Sequence, residues 1–209
     1  MHPISEAWQT FGRHLVRYRD PGLTVAFDLG PGRFAVLTGL PDIELNVTGL
    51  HPPAAAAEAN ALVDRIDEVG APTLVFVSRN AALAVLAVLA ARGFAPTVLP
   101  EPLMWRACQI LRPTPASPTF SVRRVAGERD LGALVAVLAA AITMPPEVTR
   151  RQFALDRLAG DGLGSWLAWD GVEPVSTVTL TWDDEACAVW EMMTVPAHRR
   201  RGAGRVVLE

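Results

Sequence analysis

The 209-residue sequence contains no lysine, two cysteines and one tyrosine. Without lysine, a phosphate loop of the Gly-x-x-x-x-Gly-Lys-Ser/Thr type is excluded, and no Gly-x-Gly-x-x-Gly is present either. Cys108 and Cys187 are too few for a disulfide framework, so we expect both to be reduced core residues. No His, Cys and carboxylate set has metal-ligand spacing, which predicts a protein without a metal.

Long apolar runs and strong charge are also missing. The longest apolar run, 81–91, is much shorter than the roughly 20 residues that span a bilayer. The first residues lack the basic and apolar regions of a signal peptide. The formal net charge is −3, whereas a general nucleic-acid binder shows a strongly basic face or tail. We therefore expect a cytoplasmic protein with neither a nucleic-acid nor a membrane partner.

Apolar residues make up 50% of the chain, enough for one large domain or two small ones. In residues 1–112 their spacing predicts an α/β or α+β layer domain: a helix, a meander, and then alternating helices and strands. The predicted elements are helix 4–18, strands 23–29, 33–40 and 43–47, helix 54–69 closed by Gly70, strand 73–77, helix 80–92 capped by Ser78, and strands 94–99 and 103–111.

Residues 113–118 are rich in proline, contain no large apolar residue and predict a semi-rigid linker. The pattern beyond them predicts a second domain, 119–209. Its predicted elements are strand 120–125, helices 128–141 and 146–158, and strands 164–169, 175–182 and 186–194. Three antiparallel strands would thus lead into the last segment of the chain.

That last segment reads Val195-Pro196-Ala197-His198-Arg199-Arg200-Arg201-Gly202-Ala203-Gly204-Arg205. Gly202 and Gly204 let the backbone approach an anion closely and adopt positive φ where a turn requires it. Residues 206–208 predict the first turn of a helix, whose unpaired N–H groups and dipole favour a phosphate. A solvated basic loop is the alternative interpretation, and His198 is predicted to be exposed within it.

The pattern Arg199-x-x-Gly202-x-Gly204, preceded by Val195-Pro196, resembles the pyrophosphate loop of the GNAT superfamily of N-acyltransferases, Gln/Arg-x-x-Gly-x-Gly/Ala. The resemblance covers 119–209, where it looks like the N-terminal half of the family's domain. It implies an α+β fold with a GNAT-like mixed, largely antiparallel sheet flanked by helices. Residues 1–112 resemble a degenerate GNAT-like domain, because proline replaces the glycine turn after Leu50; an unrelated α/β accessory domain is the alternative.

The resemblance implies an acetyl-CoA-dependent N-acetyltransferase that acts by direct transfer to a primary amine. The acceptor would be a small molecule or an amino-acid-like compound, and a homodimer is left open. Acetyl-CoA would be the co-substrate, with Met193, Thr194 and Val195 at its pantetheine arm. The residues expected at its pyrophosphate are Arg199, Arg200, Arg201, Gly202, Ala203, Gly204 and Arg205. The guanidinium of Arg199 or Arg200 would hold the turn, meet a phosphate oxygen or point to water.

Glu191 is the candidate general base, because several family members carry a functional carboxylate four residues before the position of Val195. A solvent-facing position on the strand is the alternative. The general acid is unassigned, since the only tyrosine is Tyr18. A non-catalytic acyl-CoA-binding or structural module is the alternative function.

Two further groups have structural and functional interpretations. The strand tryptophans either fill the core or line an acceptor pocket. The acidic stretch 183–185 either attracts a cationic amine or forms a solvated hairpin tip. The tryptophans in question are Trp166, Trp169, Trp182 and Trp190.

Overall fold

A computed structural model describes residues 3–19, 25–28, 33–41, 43–51, 54–78, 80–96, 119–142 and 145–208. The chain divides into two compact units, Met1–Cys108 and Gln109–Glu209. The predicted linker at 113–118, the strand predicted at 103–111 and Cys108 lie outside the described residues.

The first unit has a four-stranded sheet with helices before and after its strands. Its elements are α1 (Pro3–Arg19), β1 (Val25–Asp28), β2 (Arg33–Leu37), β3 (Asn46–Leu50), α2 (Ala56–Val69), β4 (Leu74–Val77) and α3 (Leu83–Ala91). The strand order is β1-β2-β3-β4. The first three strands form the predicted antiparallel meander, and β4 runs parallel to β3.

Helix α2 provides much of the core of the first unit. Its apolar residues recur at helical spacing, and they pack with residues of β2, β3 and α3. Gly70 ends the helix in the left-handed region with φ 67, as predicted, and its N–H donates to the carbonyl of Ile66 at 3.0 Å. The buried residues of α2 are Ala59, Leu62, Val63 and Ile66.

The strand predicted at 43–47 begins later than expected. Ile43–Leu45 forms a short 3-10 turn, and β3 starts at Asn46. The Asn46 amide ties the connection between β2 and β3 together: its Oδ1 accepts the N–H of Thr38 at 2.9 Å, and its Nδ2 donates to the carbonyl of Leu40 at 2.8 Å. These bonds fix the chain immediately before β3.

The second unit has its own four-stranded antiparallel sheet, with the order β5-β6-β7-β8. Its elements are β5 (Ser121–Arg124), α4 (Glu128–Ile142), α5 (Pro146–Gln152), α6 (Leu155–Ala159), β6 (Leu163–Asp170), β7 (Glu173–Trp182), β8 (Cys187–Thr194), a 3-10 turn (Pro196–His198) and α7 (Ala203–Leu208). Helix α7 packs on the sheet through Ala203 and Val207, which share a core with Phe120, Ala168 and Val175.

Two predicted helices differ from the observed ones. Ser78 does not cap α3, because the helix begins later and Ala82 is its N-cap. Ser78 instead belongs to a turn, in which its carbonyl accepts the N–H of Ala81 at 2.8 Å. The helix predicted at 146–158 is interrupted at Phe153, which leaves helical geometry with φ −112 and ψ 40. Phe153 is fully buried, so the break places its ring in the core.

The predicted fold class is confirmed: both units combine helices with a largely antiparallel sheet. The prediction that Cys187 is a core residue is wrong, because it lies exposed at the first position of β8. Among the described helices, none combines the length and the apolar character that a membrane crossing needs.

Candidate functional site

Strand β8 contains a β-bulge at Glu191, whose φ is 43. The register with β7 shifts between Thr177 and Thr179, so that Glu191 and Met192 together face the single residue Val178. An extra residue of this kind bends a strand and increases its twist. The bulge therefore changes the course of β8 shortly before the glycine-containing loop.

Beyond the bulge, Ser176 of β7 fixes the end of β8. Its buried hydroxyl donates to the carbonyl of Met193 at 2.7 Å and lies 2.9 Å from the Thr194 hydroxyl. Because a serine hydroxyl has one proton, the Thr194 hydroxyl is then the donor to Ser176. The two strand ends are thus joined by side chains as well as by the backbone.

The backbone of Val195 also faces β7, since its N–H donates to the carbonyl of Val175 at 2.9 Å. Hydrogen-bonded pairs alternate in an antiparallel ladder, so Met193 faces β7 too and Thr194 directs its backbone groups to the opposite edge. The Val195 N–H is therefore not available to a ligand, and the expectation that Met193 and Val195 lie at the pantetheine arm stays a prediction. Thr194 is the residue whose backbone faces outward.

The loop between β8 and α7 turns through two residues at positive φ, Arg200 at 61 and Gly202 at 90. A Cβ on Gly202 would meet nothing within 4 Å, so its backbone conformation, not space, favours glycine there. Among the described residues, the N–H groups of Arg200, Arg201 and Gly202 donate to no backbone carbonyl. Turns with left-handed residues can gather successive N–H groups into an anion-binding concavity.

Gly204 is required for a different reason. A Cβ at this position would lie 3.2 Å from the Thr194 hydroxyl and 3.9 Å from the Ser176 hydroxyl. Helix α7 therefore approaches the ends of β7 and β8 too closely for a larger residue to fit without movement. The two glycines predicted from the pattern thus have separate roles, one conformational and one steric.

The arginine side chains of the loop do not act alike. Arg199 holds the turn: its Nε donates to the carbonyl of Thr194 at 3.1 Å and one terminal nitrogen to that of Ala141 at 3.5 Å. Arg200 is exposed, and its side chain has no partner among the described residues. Of the alternatives left open for Arg199 and Arg200, the structure favours turn-holding for Arg199.

His198 is buried, which corrects the prediction of an exposed loop histidine; its side chain is 11% exposed. Its Nδ1 lies 2.9 Å from a terminal nitrogen of Arg201, and its Nε2 lies 3.4 Å from a carboxylate oxygen of Glu173. Arg201 also donates to Asp170 at 2.9 Å. The side chain of Arg201 therefore faces protein groups, and any anion contact by this residue would use its backbone.

Glu191 is half-buried on β8, at the bulge. The neighbouring residue, Trp190, donates from its indole nitrogen to the Thr181 hydroxyl at 2.8 Å, which ties β8 to β7 next to the bulge. The acidic stretch forms its own turn, because Asp183 accepts the N–H groups of Glu185 and Ala186 at 2.9 Å each. This geometry favours the solvated hairpin tip.

The strand tryptophans are mostly packing residues. Trp169 is buried, whereas Trp166, Trp182 and Trp190 are half-buried. Trp166 and Trp182 lie with ring centroids 6.1 Å apart. In the part of the chain that the structure describes, no group of three or more His, Cys, Asp or Glu residues could hold a metal ion.

Sequence reasoning missed three residues of this region: Asp170, Glu173 and Ser176. Asp170 and Glu173 are partners at the hairpin between β6 and β7, around Gly171. A connection between the strands predicted at 164–169 and 175–182 was expected here. No sequence pattern indicated that the carboxylates of this hairpin contact the loop that contains Arg201, 31 residues after Asp170.

Comparisons with protein-family models and with curated proteins gave no match. Among solved structures, a GCN5-related N-acetyltransferase from Kribbella flavida is 15% identical at a TM-score of 0.58, over 99% of this chain and 79% of that chain. A candidate acetyltransferase from Pyrococcus horikoshii is 21% identical at a TM-score of 0.39, over 47% of this chain. The ribosomal-protein-S18-alanine N-acetyltransferase from Escherichia coli is 13% identical at a TM-score of 0.35, over 43% of this chain and 54% of that chain.

The chain spans 35% of the length of the Pyrococcus horikoshii protein and 60% of that of a candidate GNAT acetyltransferase from Desulfovibrio desulfuricans. The Kribbella flavida match extends over nearly the whole chain. It shows that this chain has the fold of GNAT acetyltransferases, as the loop pattern predicted.

Proposed function

We propose that this chain binds acetyl-CoA at residues 193–205 and transfers its acetyl group directly to a primary amine. The acceptor is a small molecule or an amino-acid-like compound. The observation that carries the proposal is the loop backbone: Arg199-x-x-Gly202-x-Gly204 follows a bulged strand, with positive φ at Arg200 and Gly202. The fold shared with solved acetyltransferases supports acyl transfer in general.

In this proposal the backbone, more than the side chains, binds the co-substrate. The N–H groups from Arg200 to Arg205, including that of Ala203, would donate to the pyrophosphate oxygens. The exposed Arg200 adds positive charge, while Arg199 holds the turn. The outward N–H of Thr194 would donate to a carbonyl of the pantetheine arm, whereas the Thr194 carbonyl accepts from Arg199.

Direct transfer forms a C–N bond and breaks the C–S bond of the thioester. The neutral amine attacks the thioester carbonyl, CoA leaves as a thiolate, and the nitrogen gives up one proton. Glu191 is proposed to accept that proton. No residue is assigned as the general acid, so the proton that reaches the thiolate is assigned to solvent. A thiolate is stable enough near neutral pH to leave without a dedicated acid.

The binding step is tested by calorimetric titration of the chain with acetyl-CoA, for the unmodified protein and the double variant Gly202→Val, Gly204→Val. The variant should lose binding, because valine disfavours φ 90 and crowds the Thr194 hydroxyl. Gly132→Val is the matched control, since a Cβ at Gly132 would meet nothing within 4 Å. Equal affinity in all three folded proteins would contradict the placement of acetyl-CoA.

The chemical step is tested with Glu191→Gln and a panel of primary amines. We expect turnover to fall by about 100-fold with little change in acetyl-CoA affinity, because general bases typically contribute at least that factor. Equal turnover of the variant would exclude Glu191 as the base. Tight acetyl-CoA binding without turnover of any amine would support the non-catalytic acyl-CoA-binding module instead.

A further inference from the structure

Four side chains beside the loop form a connected cluster, the hairpin–loop network: Asp170, Glu173, His198 and Arg201. Asp170 and Glu173 face each other where the hairpin between β6 and β7 turns. His198 belongs to the 3-10 turn after β8, and Arg201 lies three residues later. The network therefore connects the loop to a hairpin of the same unit.

The donors and acceptors of this network suit a His198 ring that accepts a hydrogen bond at Nδ1. Guanidinium groups only donate, so the 2.9 Å contact from Arg201 makes Nδ1 of His198 the acceptor. The ring proton of neutral His198 then sits on Nε2, 3.4 Å from a Glu173 oxygen. The second arm of Arg201 donates to Asp170 at 2.9 Å. A neutral imidazole can therefore make both contacts at once.

We propose that His198 and Arg201 are positioning residues that hold the backbone of 200–202 ready for an anion, and that protonation of His198 releases it. This inference rests on the proposed function and specifies how its loop is regulated. Arg201 stands between the two positive-φ residues, Arg200 and Gly202. Because its guanidinium is tied to the hairpin, the backbone on either side has less freedom to leave that conformation.

Protonation rearranges the network. Among the described residues, the charged groups that face His198 are Asp170 at the end of β6, Glu173 at the start of β7 and Arg201 in the loop. A protonated Nδ1 cannot accept from Arg201 and opposes its positive charge. The Asp170 oxygen, 3.7 Å from Nδ1, would become the new partner of His198 and compete with Arg201. The contacts of Arg201 that hold the loop against the hairpin are thereby weakened.

The first test measures acetyl-CoA affinity between about pH 5 and 8, where histidine changes charge, for the unmodified chain and for His198→Asn. Asparagine keeps an acceptor near the place of Nδ1 and does not titrate. The ligand's own phosphate titration cancels in the ratio of the two affinities. We expect this ratio to change about five-fold, with the unmodified chain losing affinity in acid, as the loss of one hydrogen bond would produce.

Arg201→Gln should lower the affinity about five-fold at pH 8, which is the size expected for one lost hydrogen bond. In a chain that carries Arg201→Gln, adding His198→Asn should no longer change the pH profile of the affinity. Arg129→Gln is the charge-matched control, since Arg129 is exposed on α4. A constant ratio across the pH range, or equal losses in Arg201→Gln and Arg129→Gln, would overturn the inference.

A second readout needs no ligand. In amide NMR spectra of the free chain, the signals of residues 200–202 should titrate together with the ring nitrogens of His198, and this coupling should vanish in Arg201→Gln. Coupled titration without any acetyl-CoA binding would refute the proposed function and leave the positioning role intact. Binding with uncoupled titration would support the proposed function and refute the positioning role.

Discussion

The chain contains two strand–loop–helix junctions, from β3 to α2 and from β8 to α7, and their chemistry is opposite. In the first junction, Glu58 occupies the start of α2: one oxygen accepts the Ala55 N–H at 2.6 Å, and the other pairs with Arg33 at 2.6 Å. A carboxylate in this position satisfies a helix-start donor and favours the helix dipole. At the first junction, the Glu58 carboxylate therefore occupies the position where an external anion would bind.

The second junction lacks such a group, because the first turn of α7 contains no acidic residue. Position 58 corresponds to Arg205: Ala59 donates its N–H to Ala55 at 3.2 Å, and Val206 donates its N–H to Gly202 at 3.1 Å. One junction thus supplies a carboxylate at the third helical residue, and the other an arginine. The same strand–loop–helix layout thus either contains its own carboxylate at the helix start or leaves that position open to an external anion.

The strands before the two junctions differ as well. β3 is paired on both sides, antiparallel with β2 and parallel with β4, without a register shift. β8 is bulged and lies at one end of the order of described strands. In the first unit, β3 therefore has a paired neighbour on each side next to its loop. In the second unit, β8 has one edge without a neighbour among the described strands.

The largest effect is expected from making the second junction resemble the first. Arg205→Glu places a carboxylate where Glu58 stands in α2, so it should fill or repel the anion site. We expect acetyl-CoA affinity to fall by about 100-fold, equivalent to two charge-assisted hydrogen bonds. Calorimetry at low salt measures this, with Arg205→Gln as the control for charge removal alone. Equal acetyl-CoA affinities of the two variants would contradict the expectation that a carboxylate at this position excludes the anion.

A smaller effect is expected from Gly202→Ala, compared with Gly93→Ala in the first unit. The two glycines have φ 90 and φ 88, and a Cβ on either would meet nothing within 4 Å. Each substitution should therefore destabilise the protein by about 1 kcal/mol through backbone strain. Thermal unfolding measures this loss, while calorimetry should show about a tenfold loss of acetyl-CoA affinity for Gly202→Ala alone. A similar loss of acetyl-CoA affinity in Gly93→Ala would contradict a specific role of the Gly202 backbone in binding.

The smallest effect is expected from opening the first junction with Glu58→Gln. It removes the charge at the start of α2 and should cost about 1 kcal/mol in the free energy of unfolding. No acetyl-CoA binding should appear there, because Pro52 and Pro53 have no N–H to donate. Glu68→Gln is the matched control in the same helix, where an exposed pair with Arg65 contributes about 0.5 kcal/mol or less. Denaturant titration would contradict this account if both variants lost equal stability.

The sequence alone indicated the glycine loop, because only glycine combines a free φ with the absence of a Cβ. It could not indicate the register beside it. Trp182 faces Cys187 across the hairpin, and counting from this pair would place Ser176 opposite Met193. The bulge shifts the pairing to Thr194. The first residue of the bulge, Glu191, has positive φ, which residues other than glycine disfavour. The local sequence therefore does not indicate the bulge.

The hairpin–loop network was equally hidden. His198 sits among arginines and looks solvent-exposed in sequence, yet its partners Asp170 and Glu173 lie on another hairpin. Such a contact depends on how α7 and the loop pack on the sheet. Periodicity likewise predicted one helix at 146–158, because burial of Phe153 is a tertiary effect that overrides local preference. Local patterns therefore gave the elements and the loop, and tertiary packing decided the site's side chains.

The most direct test of the contrast between the junctions is amide hydrogen exchange of the intact chain with and without acetyl-CoA. We expect slower exchange in residues 194–207 on binding and unchanged exchange in residues 50–60. Protection at 50–60, or binding without any protection at 194–207, would contradict it.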